Sequence, residues 1–238
     1  MEEALLAWYS ETARELPWRR TRDPYAILVS EVMLQQTQVE RVVPRYERWL
    51  RRWPTAATLA AASPGDVIVE WQGLGYNRRA LHLHRAARHV AEHGWPDDLT
   101  ALPGVGDYTA AALGNFAFGR DVLPRDVNVE RVERRTGHAF TGRAAQALMD
   151  LGATVCLARI PRCGHCPLGT CCPSRGTRDE PLRRQSRFEG SFRQRRSVLL
   201  KRLAAEGQVP ASTVDREALD ALVADGLAAV RGELATLP

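Results

Sequence analysis

An all-α fold is predicted for the first 150 residues, and three observations carry that prediction. Apolar residues recur at spacings of three and four, helix starts are marked by Ser, Asp and Pro, and no segment before Gly226 alternates strictly between apolar and polar over the length of a strand. Leu5-Leu6-Trp8-Tyr9 opens the series. Asp23-Pro24 starts a helix expected to run from Tyr25 to Arg41, and Val39-Val42-Val43-Tyr46-Trp49-Leu50 supplies the next apolar stripe. Ser63-Pro64-Gly65-Asp66 marks a further start, and Leu81-Leu83-Ala86-Ala87-Val90 continues the pattern. At 238 residues and 45% hydrophobic composition the chain can bury a substantial core, which excludes a disordered or fibrous protein.

Composition shifts after Cys172. Ser174 to Arg202 holds ten basic residues against three acidic ones, which reads as a linker or arm suited to phosphate, over residues 174–192. Two short helices are expected beyond it, Arg193 to Glu206 and Thr213 to Asp225, the second capped by Ser212-Thr213. A hairpin around Arg231-Gly232 completes a small winged-helix-like module over 193–238. The formal charge is +5, and Lys201 is the only lysine among 33 basic residues. Arginine forks suit phosphates and base edges, so a nucleic-acid partner is favoured, although a GC-rich genome gives the same bias. The acidic Met1-Glu2-Glu3 start and the short apolar runs argue against a secretion signal or membrane span, so a cytoplasmic protein is expected; with a DNA partner it would be nucleoid-associated, and it is expected as a monomer.

Cysteine spacing is the strongest chemical signal. Cys156, Cys163, Cys166 and Cys172 are separated by six, two and five residues, with Cys171 to spare. So dense a set in a cytosolic chain points to metal rather than disulfides. A zinc site would favour paired CxxC knuckles, whereas only Cys163 and Cys166 stand two apart, so a structural 4Fe-4S cluster is the better match. Leu102-Pro103-Gly104-Val105-Gly106, between two helical segments, is a helix-hairpin-helix turn whose N–H groups can hold a phosphate. Glu31 sits in the apolar run Ile27 to Leu34, where a charge needs a task or an arginine partner. Asp126 stands where the helix of Val129 and Val132 should begin, a place for an N-cap and equally for a catalytic carboxylate. Gln35, Gln36, Thr37 and Gln38 offer amides and hydroxyls for base edges, and Tyr76 in Gly73-Leu74-Gly75-Tyr76 is a candidate wedge.

Several blocks in this order resemble the helix-hairpin-helix DNA glycosylase superfamily that includes endonuclease III, and within it the MutY-type adenine DNA glycosylases. They are Leu16-Pro17-Trp18-Arg19, Ser30 to Val39, Gly73 to Tyr76, Leu102 to Gly106, Met149-Asp150-Leu151-Gly152-Ala153 and the cysteine set. The resemblance implies a two-lobed helical glycosylase core over 1–173 with an iron-sulfur loop at 156–172, binding double-stranded DNA with a mispaired or damaged base in the cleft. It implies Glu31 as the acid that protonates the leaving purine, Asp126 as the stabiliser of the oxocarbenium-like sugar with Asn128 beside it, and Tyr108 at a catalytic tyrosine position. Trp18, Arg19 and Gln146 would line the base pocket. Gln35, Gln36, Thr37, Tyr76, Leu102, Gly104, Val105 and Gly106 would meet DNA, and the four cysteines would hold the cluster. Endonuclease III places a lysine where Tyr108 stands; without that amine no Schiff base forms, so the reaction implied is hydrolysis without strand cleavage.

Three departures stand out. The chain is about two dozen residues shorter than the family between Arg135 and Gln146, as if a helix beside the base pocket were missing; the large C-terminal domain that inspects 8-oxoguanine is replaced from Ser174 onward; and Asp126 lies in Pro124-Arg125-Asp126-Val127-Asn128 rather than between an apolar residue and glycine. They leave open a glycosylase for thymine or uracil opposite guanine, one for another damaged purine, or a noncatalytic lesion-binding protein.

Overall fold

A computed structural model describes residues 1–180 and 187–238. The chain forms two compact units. The first comprises Met1–Ile27, Asp98–Thr100 and the chain from Val105 through the cysteine loop; the second comprises Leu28–Asp97, Ala101–Gly104 and the C-terminal segment.

In the first unit, α1 (Glu2–Thr12) is followed by a single 3₁₀ turn, Pro17–Arg19. The helix α2 (Pro24–Leu34) begins in this unit and continues in the second. Between them α3 (Val39–Arg52), α4 (Ala56–Ala60), α5 (Pro64–Trp71) and α6 (Arg78–His93) build the second unit. The chain then returns to the first unit with α7 (Asp107–Phe116), α8 (Val127–Thr136) and α9 (Ala145–Thr154). Leu5 from α1, Val129 and Val132 from α8, Leu148 and Leu151 from α9 and Leu168 from the cysteine loop share one core, each less than 2% exposed. The helices α8 and α9 are joined through Gly137, which ends α8 in the left-handed region at φ +65°, and a 3₁₀ turn at Gly142–Ala144. No helix intervenes there, in keeping with the short spacing of the sequence.

The second unit is organised by α6. Trp49 and Trp71 meet edge to face at 5.5 Å, with Trp53 at 4.7 Å from Trp49. On another side, Ile68 of α5 and Leu81 of α6 share a core with α10 (Phe192–Glu206) and α11 (Arg216–Ala224), through Leu199, Leu200, Leu203, Leu219 and Leu222. Three short strands, β1 (Gln208–Pro210), β2 (Ala229–Arg231) and β3 (Leu234–Thr236), form an antiparallel sheet with β3 central, pairing Ala235 with both Val209 and Val230.

Three expectations are corrected. The helix expected over Tyr25–Arg41 is two helices, because the backbone enters the left-handed region at Gln36 (φ +56°) and restarts at Val39. The cap of α11 is Asp215, whose carboxylate accepts from Ala218 N at 2.9 Å, while Ser212-Thr213 lies in a separate 3₁₀ turn. The strand β1 is an addition, too short at three residues to show alternation. The expected basic arm over 174–192 includes residues 181–186, which lie outside the described residues. Among the described residues no helix is long and apolar enough to cross a membrane.

Candidate active site

Asp126 is both cap and candidate catalyst. Its Oδ1 accepts from the backbone N–H of Asn128 at 2.9 Å and of Val129 at 2.8 Å, and Oδ2 accepts from Asn128 Nδ2 at 2.9 Å. The carboxylate is thus fixed at the positive end of the α8 dipole. Asn128 is fixed in turn by Arg131, whose Nη2 donates to Asn128 Oδ1 and to Gly152 O, both at 2.7 Å, and whose Nε donates to Cys156 O at 2.8 Å. Gly152 makes this approach possible, since a Cβ there would stand 2.5 Å from Asn128 Cβ. Tyr108 is half-buried on the first turn of α7.

The same unit holds the residues assigned to the base pocket. Gln146 on α9 accepts at Oε1 from the Tyr9 hydroxyl at 2.8 Å. Burial pushes the Tyr9 pKa up against the opposing charge of Arg19, which keeps the phenol a donor. Gln146 therefore has its Nε2 to offer to an acceptor. Arg19 forms a fork on Asp150, with Nη1 to Oδ2 at 2.7 Å and Nη2 to Oδ1 at 2.6 Å, and Arg14 adds Nε to Oδ1 at 2.6 Å. Arg19 thus anchors Asp150, which is only 1% exposed. Its neighbour Trp18 is buried on the 3₁₀ turn. An open groove beside Gln146 is lined by Tyr9, Asn115, Arg120, Asp121 and Arg143.

In the second unit Glu31 is buried, 5% exposed, on a helix whose residues from Tyr25 to Met33 are all buried. Gln36 is exposed, Gln35 half-buried and Thr37 buried, its hydroxyl turned to Leu74 O. Tyr76 is 49% exposed and, like Gln36, has a positive φ, +46°. In the hairpin turn Leu102 and Val105 are buried as apolar anchors, so only backbone there can meet a phosphate. Gly104 has φ +79°, and a Cβ would stand 2.6 Å from His82 Cβ, so only glycine fits. Gly106 is the N-cap of α7.

Cys156, Cys163, Cys166 and Cys172 line one cavity, together with Leu151, Leu168 and Arg135, and Cys171 does not join them. None of the five cysteines is in a disulfide. Among the described residues no three ligating side chains converge as a single metal ion would require. The surroundings suit an anionic group. Arg135 is 4% exposed, its Nη1 lies 3.4 Å from Cys156 Sγ, and its buried Nε has no partner among the described residues. Gly176 N donates to Cys163 Sγ at 3.3 Å. Burial first, then the charges of the other three cysteines, raises the Cys166 pKa, which a cationic iron would offset.

Sequence reasoning missed Tyr9, Arg131 and Arg135. The two arginines stand three and seven residues after Asn128, on one face of α8, and that spacing was a usable signal. Tyr9 read only as a member of an apolar stripe.

Residues 29–151 match the family model for HhH-GPD superfamily base excision DNA repair proteins, and the chain belongs to that family. It is 42% identical over 272 aligned residues to the adenine DNA glycosylase of Mycobacterium tuberculosis (strain ATCC 25618 / H37Rv), covering 94% of this chain and 88% of that protein. It is 39% identical to the human adenine DNA glycosylase, over 72% of this chain and 39% of that one. Among solved structures it is similar to a thermostable thymine-DNA glycosylase, with TM-score 0.66 and 27% identity over 73% of this chain and 94% of that one. Endonuclease III in a non-covalent DNA complex shares the fold, with TM-score 0.62 and 22% identity over 73% of this chain and 92% of that one.

Proposed function

We propose that the protein is a monofunctional adenine DNA glycosylase, hydrolysing the N-glycosidic bond of adenine mispaired with 8-oxoguanine or guanine in double-stranded DNA. The observation that carries this reading is the Asp126 carboxylate, fixed at the start of α8 by Asn128 and Val129, in a chain with Tyr108 on the first turn of α7 and a single lysine, Lys201, on α10. Adenine is a poor leaving group until protonated, and the buried Glu31 supplies the proton. Positive charge then develops on the sugar, and Asp126 offsets it with no reorganisation because its donors already hold it. Water completes the hydrolysis, with Tyr108 and Asn128 at its side. Gln146 presents an amide, oriented by Tyr9, to the outer edge of the base, with Trp18 and Arg19 framing the pocket. Gln36 and Tyr76 enter the stack as the base leaves it, supported by Gln35 and Thr37, while the Leu102–Gly106 turn holds backbone phosphate.

Cys156, Cys163, Cys166 and Cys172 would hold a 4Fe-4S cluster, which when bound supplies a structural crosslink within the first unit. The domain division proposed is a glycosylase core to residue 173, a basic linker and a winged-helix-like module from 193, with its helix, strand, helix and hairpin order in support. The protein is proposed to act as a monomer on genomic DNA in the cytoplasm. The groove beside Gln146 favours a second reading, excision of a larger damaged purine.

Single-turnover base release tests the adenine reading, with duplexes carrying A opposite 8-oxoguanine, A opposite G, T opposite G, U opposite G and hypoxanthine opposite T. Adenine release that shows as a strand break only after alkali is the expected result. Release confined to thymine, uracil or hypoxanthine refutes the adenine reading, and breakage without alkali refutes the absence of lyase chemistry.

A further inference from the structure

Arg79, on the first turn of α6, is 9% exposed, and its guanidinium is committed to the protein's own backbone. Nη1 donates to the carbonyls of Val32 at 2.8 Å, Met33 at 3.1 Å and Gln35 at 2.5 Å. Nη2 donates to Thr37 Oγ1 at 3.2 Å, Leu74 O at 3.2 Å and Gly75 O at 3.0 Å, and Nε reaches Tyr76 O at 3.4 Å. Five N–H donors in a planar fork are therefore shared between two chain segments, 32–37 and 74–76. Val32 and Met33 lie in the last turn of α2, whose final carbonyls have no N–H donor within the helix, and Gln35 follows directly after it. Burial pulls the Arg79 pKa down to about 10, which leaves it charged at neutral pH.

Among the described residues, Gln36 and Tyr76 are the only non-glycine positions with positive φ, and one lies in each of the two clamped segments. A side-chain-bearing residue holds that conformation only where its surroundings impose it. Both side chains are outward, Gln36 exposed and Tyr76 half-exposed, while the guanidinium lies 5.5 Å from the Tyr76 ring and 5.3 Å from that of Trp71 beneath. Thr37 Oγ1 also reaches Leu74 O at 3.4 Å, so the two loops touch through the hydroxyl that Arg79 engages. One buried side chain thus sets the spacing between two exposed ones.

We propose that Arg79 is a positioning residue for base extraction, which holds Gln36 and Tyr76 as one rigid two-pronged wedge against the DNA duplex. The proposal rests on the reading of those two residues as the ones that enter the base stack. Arg79 touches neither base nor sugar; its effect is confined to opening the stack. Lysine cannot replace it, since a single ammonium cannot span both segments.

The test compares single-turnover adenine release from two substrates, an intact duplex with A opposite 8-oxoguanine and the same target strand with the opposing nucleotide and its neighbour deleted, where the adenine is already unstacked. For Arg79→Lys, a loss of roughly 100-fold on the duplex is expected, of the order that a 1 Å misplacement costs. On the gapped substrate the rate should stay within about 3-fold of the parent, because no wedge is needed there. Gln36→Ala and Tyr76→Ala should show the same substrate dependence, and adding Arg79→Lys to the double variant should cost nothing more. Equal losses on both substrates, or none on either, overturn the clamp. Should Gln36→Ala and Tyr76→Ala leave duplex excision intact, the wedge reading itself fails and takes the clamp with it; should they impair it while Arg79→Lys does not, only the clamp fails. If Arg79→Lys does not fold, Thr37→Val removes the shared hydroxyl, and a duplex-specific loss decides in the same way.

Discussion

Arg131 Nη2 donates to Asn128 Oδ1 at 2.7 Å, and through this bond the Asp126 carboxylate is tied to the cysteine loop. The same guanidinium donates to Cys156 O, and Asn128 donates twice to Asp126, so Cys156, Arg131, Asn128 and Asp126 form one hydrogen-bonded chain within the first unit. Arg131 is 9% exposed, and its loss removes the donor to Asn128 Oδ1, to Cys156 O and to the buried Gly152 O. Arg131→Gln is expected to slow excision by about 10- to 100-fold through misplacement of the carboxylate. It should also lower the iron retained per chain after incubation with a chelator. Single-turnover rates and iron content measured on the same preparation check this, and a slow enzyme with undiminished iron retention would confine the role of Arg131 to the carboxylate.

Asp126→Asn separates the two tasks of that residue. Asparagine is as good an N-cap as aspartate, so thermal stability should change little, whereas truncation to alanine should cost about 1 kcal/mol of stability. The negative charge proposed to oppose the sugar cation is lost in both variants. Excision is expected to fall by at least about 100-fold in each, the order seen when one preorganised electrostatic group is removed. Binding to an uncleaved duplex, measured by anisotropy at fixed salt, should be retained.

Gly152→Ala tests whether close packing of α8 on α9 places the site. The added Cβ would meet Asn128 Cβ at 2.5 Å and Asn128 Cα at 3.1 Å, so the start of α8 must shift. Overpacking of this kind costs about 1–3 kcal/mol. The diagnostic result is a fall in single-turnover rate larger than the loss of stability explains, with iron content unchanged. Equal activity at reduced melting temperature would show that α8 absorbs the shift without moving Asp126.

Local features of this arrangement are legible in the amino-acid sequence, and what is not legible is long-range. The cysteine set, the hairpin glycines and Asp126 announce themselves because their chemistry is local: spacing, backbone conformation and a cap depend on neighbours in sequence. The break between α2 and α3 does not, since the carbonyls at the end of α2 are taken by Arg79, 44 to 47 residues away. Nor does the orientation of Gln146, which comes from Tyr9 at a separation of 137. Arginine is so frequent here that buried guanidiniums such as Arg79, Arg131 and Arg135 could not be told from surface ones by type. Burial separates them, and burial was visible only in the spacing of Arg131 and Arg135 along one face of α8. The sequence marks α10 and α11 but not their packing on Ile68 and Leu81 of α5 and α6, because each apolar stripe alone is compatible with an independent module.

Asp150 makes stability of the first unit depend on pH in a direction that can be worked out. Burial alone would raise its pKa, but hydrogen bonds from Arg19 and from Arg14 N, with the Arg19 charge, outweigh it and hold the pKa below its ordinary value of 3.8. A carboxylate with a depressed folded pKa contributes its full stabilisation above 3.8 and loses it as pH falls through the lower, folded value. Asp150→Asn leaves Arg19 and Arg14 facing a neutral amide, which should cost about 3–5 kcal/mol at neutral pH, as for a broken buried pair. The difference in urea midpoint between the parent and Asp150→Asn should therefore be largest at pH 7 and shrink steadily below the ordinary aspartate pKa, since acid removes the same charge from the parent. A difference that stays constant to pH 2 would mean that the carboxylate remains ionised throughout, or that the penalty comes from the shape of the amide rather than from the missing charge; adding Arg19→Met, which removes the fork, separates the two, because only a charge-based penalty is relieved by it.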